Sequence, residues 1–505
     1  MPQQYVKKIL EARVYDVAIE TPVDEARFLS ERYHNRILIK REDLQPVFSF
    51  KLRGAYNKMS RLTAAQRAKG VIAASAGNHA QGLALSGKKL GISTVIVMPK
   101  TTPNIKVASV RARGAKVILH GDTYDEASAH SHKLAKEKGY TYVHPFDDPD
   151  VIAGQGTVGM EILRQVTGPL HIVFVPVGGG GLIAGVAAYI KFVRPDVKVI
   201  GVEAEDSACM KAALEKGRRV ILPEVGIFAD GVAVAQAGKE TFRIVKQCVD
   251  EIVTVNTDEI CGAIKDVFDD TRSIAEPAGA LAVAGLKKYI ETNRVRGKTL
   301  LAIDSGANVN FDRLRHISER SELGEKREAI IAVTIPEVPG SFKKFCGDLG
   351  KRNITEFNYR YADESDAQVF VGVQLSDGGK ERAKLIAELG KLKYAVLDLT
   401  DNEMAKLHVR HLVGGRAPKA QNELVFRFEF PERPGALMKF LQTLGQRWNI
   451  SLFHYRNHGA AYGRVMVGLQ VPANEKKRAE EYFRKIGYPF SEETANPAYQ
   501  IFLAK

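Results

Sequence analysis

Lys51 stands in the stretch Ser49-Phe50-Lys51-Leu52-Arg53-Gly54-Ala55, at a junction where a loop meets a helical pattern running from Leu52 to Met59. Phe50 before it and Leu52 after it could hold the ε-amine in a partly dry pocket. There an amine sheds its charge readily and becomes a nucleophile. The plain alternative, in a chain with 73 lysines and arginines, is a solvated lysine opening an amphipathic helix. Other stretches make Lys51 more than that. Gly178-Gly179-Gly180-Gly181 precedes a helical pattern from Leu182 to Val193, so backbone N–H groups can close around an anion at a helix N-terminus, phosphate above all. Ser75-Ala76-Gly77-Asn78-His79 has the same strand-to-helix placement and suits a second anion such as a carboxylate. Asn78 adds a side-chain donor and acceptor, although it could equally be a helix cap, with His79 a helix-start residue. Ser305-Gly306-Ala307-Asn308 is a third strand-end loop. A reactive lysine with a phosphate cup and a carboxylate cup is what pyridoxal phosphate and an amino-acid substrate require.

One competing chemistry shares these residues. Gly179-x-Gly181-x-x-Ala184, with Glu203 nineteen residues later at a strand end, fits a dinucleotide fingerprint and leaves an NAD-dependent enzyme open. Four consecutive glycines make such a match easy, and this reading gives Lys51 and Asn78 no purpose.

The loops need a frame that brings them together. Helical patterns near 5–14 and 23–34 and a strand from Arg36 to Lys40 precede Lys51. Repeated strand-then-helix units follow, with strands at Val71–Ala74, Thr94–Met98, Lys116–His120, His171–Val177, Lys198–Glu203, Ile252–Val255 and Thr299–Asp304. The run His171 to Val177 reads as a strand buried on both faces. The alternation predicts a two-lobed α/β domain with parallel sheets over residues 1–320, and such domains collect ligands at the carboxyl ends of their strands.

Past Ser321 the pattern changes to a duplication. Ile331-Ala332-Val333-Thr334-Ile335-Pro336-Glu337-Val338-Pro339-Gly340 is echoed by Phe426-Arg427-Phe428-Glu429-Phe430-Pro431-Glu432-Arg433-Pro434-Gly435. Tyr359-Arg360 is echoed by Tyr455-Arg456, and the offset moves from 95 to 96 residues at Trp448. Each copy reads strand, turn, helix, strand, strand, helix, strand, the order of a ferredoxin-like α+β module, with boundaries at 328–401 and 423–495 and a connector from His411 to Pro418. The modules could regulate the chain or only build an oligomer interface.

Composition narrows the class. A hydrophobic fraction of 45% and a charged fraction of 26% describe a soluble globular chain, and 505 residues exceed one ordinary core. The net charge of +14 is spread through helices beside acids, with no basic block of the kind that binds nucleic acid. Four cysteines without CxxC spacing make neither a disulfide framework nor a zinc site. No apolar run approaches the roughly 20 residues that span a bilayer, and no leader pattern opens the chain, so a cytoplasmic enzyme without membrane contact is expected.

Taken in order, the Lys51 stretch, Ser75-Ala76-Gly77-Asn78-His79-Ala80-Gln81-Gly82, Gly178 to Leu182 and Ser305-Gly306-Ala307-Asn308 resemble the signature set of the fold-type II pyridoxal-phosphate enzymes. Among them the chain is similar, over nearly its whole length, to the biosynthetic threonine ammonia-lyases, with two ACT-like regulatory modules after the catalytic part. The resemblance implies that Lys51 carries the cofactor covalently and later takes the substrate's α-proton. It implies that Asn78 bonds the ring's 3-oxygen, that Phe50 belongs to the cofactor site, and that Gly178, Gly179, Gly180, Gly181 and Leu182 hold the phosphate. Ser75, Gly77, Asn78 and His79 would surround the substrate carboxylate, mostly through backbone groups. Ser305 would face the pyridine nitrogen, where a neutral hydroxyl favours rapid loss of a β-leaving group over a long-lived carbanion.

The implied reaction is elimination of water from L-threonine, with L-serine possible as substrate, by a homotetramer inhibited by isoleucine and modulated by valine. Effector pockets would lie near Tyr359 and Tyr455, which could also be core residues. Relatives such as serine racemases bind a divalent cation. Here Glu203 matches one ligand position but Cys209 stands where an aspartate is needed, so no metal is expected. A serine dehydratase or racemase, or an amino-acid sensor with a vestigial catalytic part, remains the alternative.

Overall fold

The computed structural model describes residues 2–336, 341–350, 352, 354–360, 366–375, 378–411, 422–431, 448–456 and 462–504. The chain divides into two compact units, Met1–Ser321 and Glu322–Lys505. The first unit holds β1 (Val23–Glu25), β2 (Arg36–Arg41), β3 (Val71–Ala74), β4 (Thr94–Met98), β5 (Lys116–Leu119), β6 (Thr141–Tyr142), β7 (Ile172–Pro176), β8 (Lys198–Ala204), β9 (Glu251–Val255) and β10 (Thr299–Asp304). They form a six-stranded sheet in the order β1-β2-β10-β7-β8-β9 and a four-stranded sheet in the order β5-β4-β3-β6. Every pairing in these two sheets is parallel except that of β1 with β2. Strands β3, β4, β7 and β10 are buried at every residue, and their apolar composition suits strands covered on both faces.

Local patterns mislead at the start of the chain. The helix expected near 5–14 ends at Leu10, and Val14 and Ala18 pack instead with Val47 and Leu52. Residues 23–25 leave the helix expected over 23–34 to become β1, since an edge beside β2 supplies backbone partners; the helix itself is Arg27–Tyr33. The two-residue strand β6 is too short to carry a period-2 signal.

Three helices pack closely enough to fix the cleft described below. Helix Lys51–Ser60 meets helix Pro149–Gln165 at Gly54 and Gly154, where a Cβ on Gly154 would lie 2.7 Å from the Arg53 carbonyl oxygen. Helix Pro149–Gln165 meets helix Gly181–Val193 at Gly156 and Gly185, and a Cβ on Gly185 would lie 2.4 Å from the Ile152 carbonyl oxygen. The first of these contacts is backed by a fully buried group of four charges. Arg53 donates to Glu42 at 2.7 and 2.8 Å and to Glu161 at 2.5 and 2.9 Å. Lys40 donates to Glu161 at 2.7 Å and to the Thr21 carbonyl at 2.6 Å. Two cations and two anions balance and hydrogen-bond one another, which is the condition for keeping charges in a dry interior.

The second unit contains two modules. One holds β11 (Glu328–Pro336), β12 (Ile354–Arg360), β13 (Asp366–Gln374) and β14 (Ala395–Asp398), with helices Ser341–Asp348 and Gly378–Lys391. The other holds β15 (Glu423–Pro431), β16 (Asn449–Arg456), β17 (Tyr462–Gln470) and β18 (Phe490–Glu492), with helix Lys476–Ile486. Both sheets are antiparallel, ordered β12-β13-β11-β14 and β16-β17-β15-β18, the ferredoxin-like arrangement. The duplication reaches fine detail. A register shift falls between Ile354 and Glu356 in one copy and between Ile450 and Leu452 in the other. Thr400 Oγ1 accepts from the Ile330 N–H at 3.1 Å, and Thr494 Oγ1 from the Val425 N–H at 3.0 Å. The modules share a core that includes Ile330, Phe370, Val425, Met466 and Tyr499.

Tyr359 pairs with Val369 and Tyr455 with Val465 in backbone register, while the two tyrosine side chains, Pro339-Gly340 and Pro434-Gly435 lie outside the described residues. So do the first helix expected in the second copy and connector residues 412–418. No helix among the described residues is long and apolar enough to cross a membrane.

Replacing Glu161 by Gln leaves Lys40 and Arg53 short of one buried negative charge and should destabilise the first unit by about 3–5 kcal/mol. Urea denaturation followed by circular dichroism reads this as a lowered midpoint. Arg164→Ala, which removes the exposed ion pair with Glu20, should leave that midpoint in place.

Candidate active site

Lys51 is the first residue of its helix, and Phe50 before it donates its N–H to the Ser305 carbonyl at 3.3 Å. A bridge between Ser49 and Gly306 and a hydrogen bond from the Ala307 N–H to the Phe48 carbonyl at 2.9 Å tie the two loops side by side. The Lys51 Nζ lies 5.5 Å from the centre of the Phe50 ring. Burial pushes its amine down to about 8, against the raising influence of the Glu276 carboxylate. A substantial neutral fraction near physiological pH is what a nucleophile or base requires.

A cleft that opens to solvent surrounds Lys51. Phe50, Lys51, Asn78, the loop Gly178 to Leu182 and Ser305 all line it. The glycine loop is shaped by what packs against it. A Cβ on Gly179 would lie 2.4 Å from the Phe146 ring, and one on Gly178 would lie 2.9 Å from the Val232 backbone. Gly180 has φ +96° and caps helix Gly181–Val193. The Gly179 carbonyl is held by Thr241 Oγ1 at 2.6 Å and by the Gly238 N–H at 3.2 Å. A side-chain-free cradle at the start of a 13-residue helix fits a phosphate group, which backbone N–H groups and the helix field can bind.

Ser305 is buried, and its hydroxyl donates to the Ala278 carbonyl at 3.2 Å; the hydroxyl proton can rotate instead to a ring nitrogen that accepts it. Asn78 donates to Glu276 Oε1 at 2.5 Å and accepts from Asn308 Nδ2 at 2.6 Å. Ser75, Gly77 and His79 are not part of the lining. The Ser75 hydroxyl accepts from the N–H groups of Gly77 and Ala80, both at 3.3 Å. His79 Nε2 faces the Val143 carbonyl at 2.9 Å, which assigns a proton to that nitrogen, and burial together with the Lys51 charge pushes the imidazole down to about 3. His79 is therefore neutral, and its side chain anchors the loop. The backbone N–H groups of Asn78 and His79, in the first turn of helix Asn78–Leu90, have no acceptor within their own helix.

Some contributors carry no motif. Phe146 and Gln155 line the cleft from the segment that leads from β6 into helix Pro149–Gln165. Glu276, the cap residue of helix Pro277–Asn293, makes no side-chain bond to that helix and turns into the cleft instead. Its one sequence signal is an acid before a proline at a helix start, which ordinarily reads as a cap. Glu203 does the reverse. Its carboxylate accepts from the N–H groups of Met210 and Lys211, both at 2.8 Å, so the acid of the dinucleotide reading is spent on a helix end.

Residues 14–306 match the family model of the pyridoxal-phosphate dependent enzymes. Residues 319–409 and 414–503 each match that of the C-terminal regulatory domain of threonine dehydratase. Over 503 residues, 99% of each chain, the sequence is 59% identical to a biosynthetic L-threonine dehydratase of Burkholderia multivorans. The chain belongs to the biosynthetic threonine dehydratases. Among solved structures, the processed form of threonine deaminase isoform 2 from Solanum lycopersicum is 51% identical with a TM-score of 0.62, covering 63% of this chain and 93% of that one. Serine racemase from Dictyostelium discoideum is 31% identical with a TM-score of 0.56, covering 61% and 99%. As in its family, the cofactor is pyridoxal phosphate. The cradle, the readily deprotonated lysine and the neutral Ser305 suit its phosphate, aldehyde and ring nitrogen.

In cofactor-free protein, acylation of Lys51 should rise with pH through a midpoint near 8, because the protonated amine below it is unreactive. Glu276→Gln removes the anion that favours the protonated amine and should move that midpoint lower. Gly179→Ala drives a methyl into the Phe146 ring and should weaken cofactor binding about 10- to 100-fold, measured by equilibrium dialysis.

Proposed function

We propose that the chain converts L-threonine to 2-oxobutanoate and ammonia, the first committed step toward isoleucine. The observation that carries this reading is the 59% identity to an L-threonine dehydratase along 99% of both chains, regulatory part included. The likeness to a serine racemase is weaker, at 31% identity over 61% of this chain.

Bound in the cleft, pyridoxal phosphate supplies an electron-withdrawing ring that makes the substrate's α-proton acidic. The backbone of Gly178 to Leu182 holds the phosphate, Phe50 borders the ring, and Asn78 bonds the 3-oxygen. Ser305 meets the ring nitrogen with a neutral hydroxyl, so negative charge is not stored there and the β-hydroxyl departs early. The loop Ser75, Gly77, Asn78 and His79 binds the substrate carboxylate through its backbone. Lys51 anchors the cofactor and, once released from it, takes the α-proton at Nζ. The β-hydroxyl leaves as water, and the freed enamine then takes up water and releases ammonia, so atoms balance between threonine and its two products.

The catalytic part spans 1–320 and the two regulatory modules 328–401 and 423–495. Those modules bind isoleucine as inhibitor and valine as its modulator, near Tyr359 and Tyr455, in a cytoplasmic homotetramer that also accepts L-serine. The duplicated family match to a regulatory domain supports a ligand-binding role for them.

Wild-type protein should form 2-oxobutanoate from L-threonine, and Lys51→Ala should lose at least about a thousandfold of that rate, as expected for removal of a residue that is both nucleophile and base. Isoleucine should suppress the wild-type rate, and Tyr359→Ala or Tyr455→Ala should blunt the suppression without abolishing turnover. Turnover of serine but not threonine would overturn the substrate assignment, and unchanged inhibition in both tyrosine variants would overturn the effector sites.

A further inference from the structure

Asn78 is the last link of a chain of side-chain amides that ends on a carboxyl group. Gln81 Nε2 donates to Asn308 Oδ1 at 3.1 Å, Asn308 Nδ2 donates to Asn78 Oδ1 at 2.6 Å, and Asn78 Nδ2 donates to Glu276 Oε1 at 2.5 Å. The direction of the chain is determined by a backbone carbonyl, which can only accept. Asn308 Nδ2 also donates to the Val47 backbone carbonyl at 2.7 Å, which turns the Asn308 amine toward Asn78 and leaves Asn78 to meet it with its oxygen. At the far end Glu276 accepts from the Asn78 amine. One N–H of Asn78 is then committed to Glu276, and the other remains for a ligand in the cleft that both residues line.

The surroundings make room for the Glu276 carboxyl. A Cβ on Gly306 would lie 3.0 Å from Glu276 Oε1, and one on Gly231 would lie 3.4 Å from the same oxygen. Burial, with Asp230 nearby, pushes the carboxyl up to about 7. An oxygen able to accept is present in either protonation state, so the contact with Asn78 persists across neutral pH.

We propose that Glu276 is a positioning residue for the cofactor: by accepting one N–H of Asn78 it fixes the plane of that amide, so that the second N–H faces the cofactor's 3-oxygen. This rests on the assignment of Asn78 to that oxygen. Glu276 itself need not touch the reacting atoms. Its work, with Asn308 holding the amide oxygen from the other side, is to hold a neutral donor in one plane, so that the N–H left over points at the cofactor's 3-oxygen.

The test compares Glu276→Gln, Glu276→Asp and Glu276→Ala in the full chain, reading the affinity for pyridoxal phosphate and the visible absorbance maximum of the bound cofactor. Glu276→Gln keeps an acceptor oxygen at the same reach and should bind within about threefold of wild type with an unshifted maximum. Glu276→Asp keeps the charge but withdraws the oxygen, and with Glu276→Ala it should bind about tenfold or more weakly and shift the maximum, the effect of losing one strong buried hydrogen bond. In the double variant Asn78→Ala with Glu276→Ala, affinity should fall no further than in Asn78→Ala alone. Wild-type affinity and spectrum in Glu276→Asp, or loss in Glu276→Gln with retention in Glu276→Asp, would overturn the proposal, the latter by showing that charge alone matters. If Asn78→Ala itself binds the cofactor with wild-type affinity and spectrum, the assignment of Asn78 fails first. The Gln and Asp arms decide the matter even where the Ala variant does not fold.

Discussion

The ion group of Arg53 with Glu42 and Glu161 holds the helix that carries Lys51, and the two cations in the first turn of that helix meet opposite surroundings. Arg53 makes four hydrogen bonds to the two carboxylates and is held more firmly charged than usual. Lys51, two residues earlier, meets no carboxylate within bonding distance among the described residues, and burial brings its amine down to about 8. The paired arginine locks the helix onto helix Pro149–Gln165, and the lysine is thereby carried to a cleft where losing its proton is easy. A charge network that balances in the interior costs little while complete and much when broken, so the position of Lys51 is coupled to the integrity of contacts outside the cleft.

The phosphate cradle is a matter of excluded side chains. Phe146, itself part of the cleft lining, abuts Gly179, and the segment carrying it is pinned on both sides: His144 Nδ1 accepts from the N–H groups of Phe146 and Asp147 at 3.3 and 2.8 Å, and Asp147 accepts from the Lys239 and Glu240 N–H groups at 2.8 Å each. The cup is therefore a wall built from the connector after β6 against another helix start. At Gly178 and Gly179 a Cβ has no room, so the lining there is backbone alone.

The second unit shows a duplication surviving in sequence that differs at most positions. Asn402 and Asn496 each cap a short helix after the last strand of their module, and Asn402 Nδ2 meets Asn496 Oδ1 at 3.3 Å. Equivalent caps in contact make the two copies one packed body with a shared core, through Phe370 and Met466 among others. The helices they cap, Glu403–Leu407 and Pro497–Phe502, lie past the ends read from the strand pattern, since five or six residues are too few to show a helical period.

Much of the protein is legible before any fold is known. The strand-helix alternation, the two regulatory copies, the glycine loop and Lys51 are carried by neighbouring residues, because periodicity, glycine runs and turn chemistry act over a few positions. Long-range contacts leave no such trace. Glu276 and Asn78 are 198 positions apart and Arg53 and Glu161 are 108 apart, so neither pairing has a local signature. The motif places His79 at the start of a helix behind a ligand loop but not the partner of its ring, which is the Val143 carbonyl, and Glu203 reads as a ligand-binding acid but caps a helix. The sequence by itself determined which groups could do chemistry and on what kind of element each would sit. Only the tertiary structure decided which of them are desolvated, paired or free, because those states depend on what distant segments place within hydrogen-bonding distance of each atom.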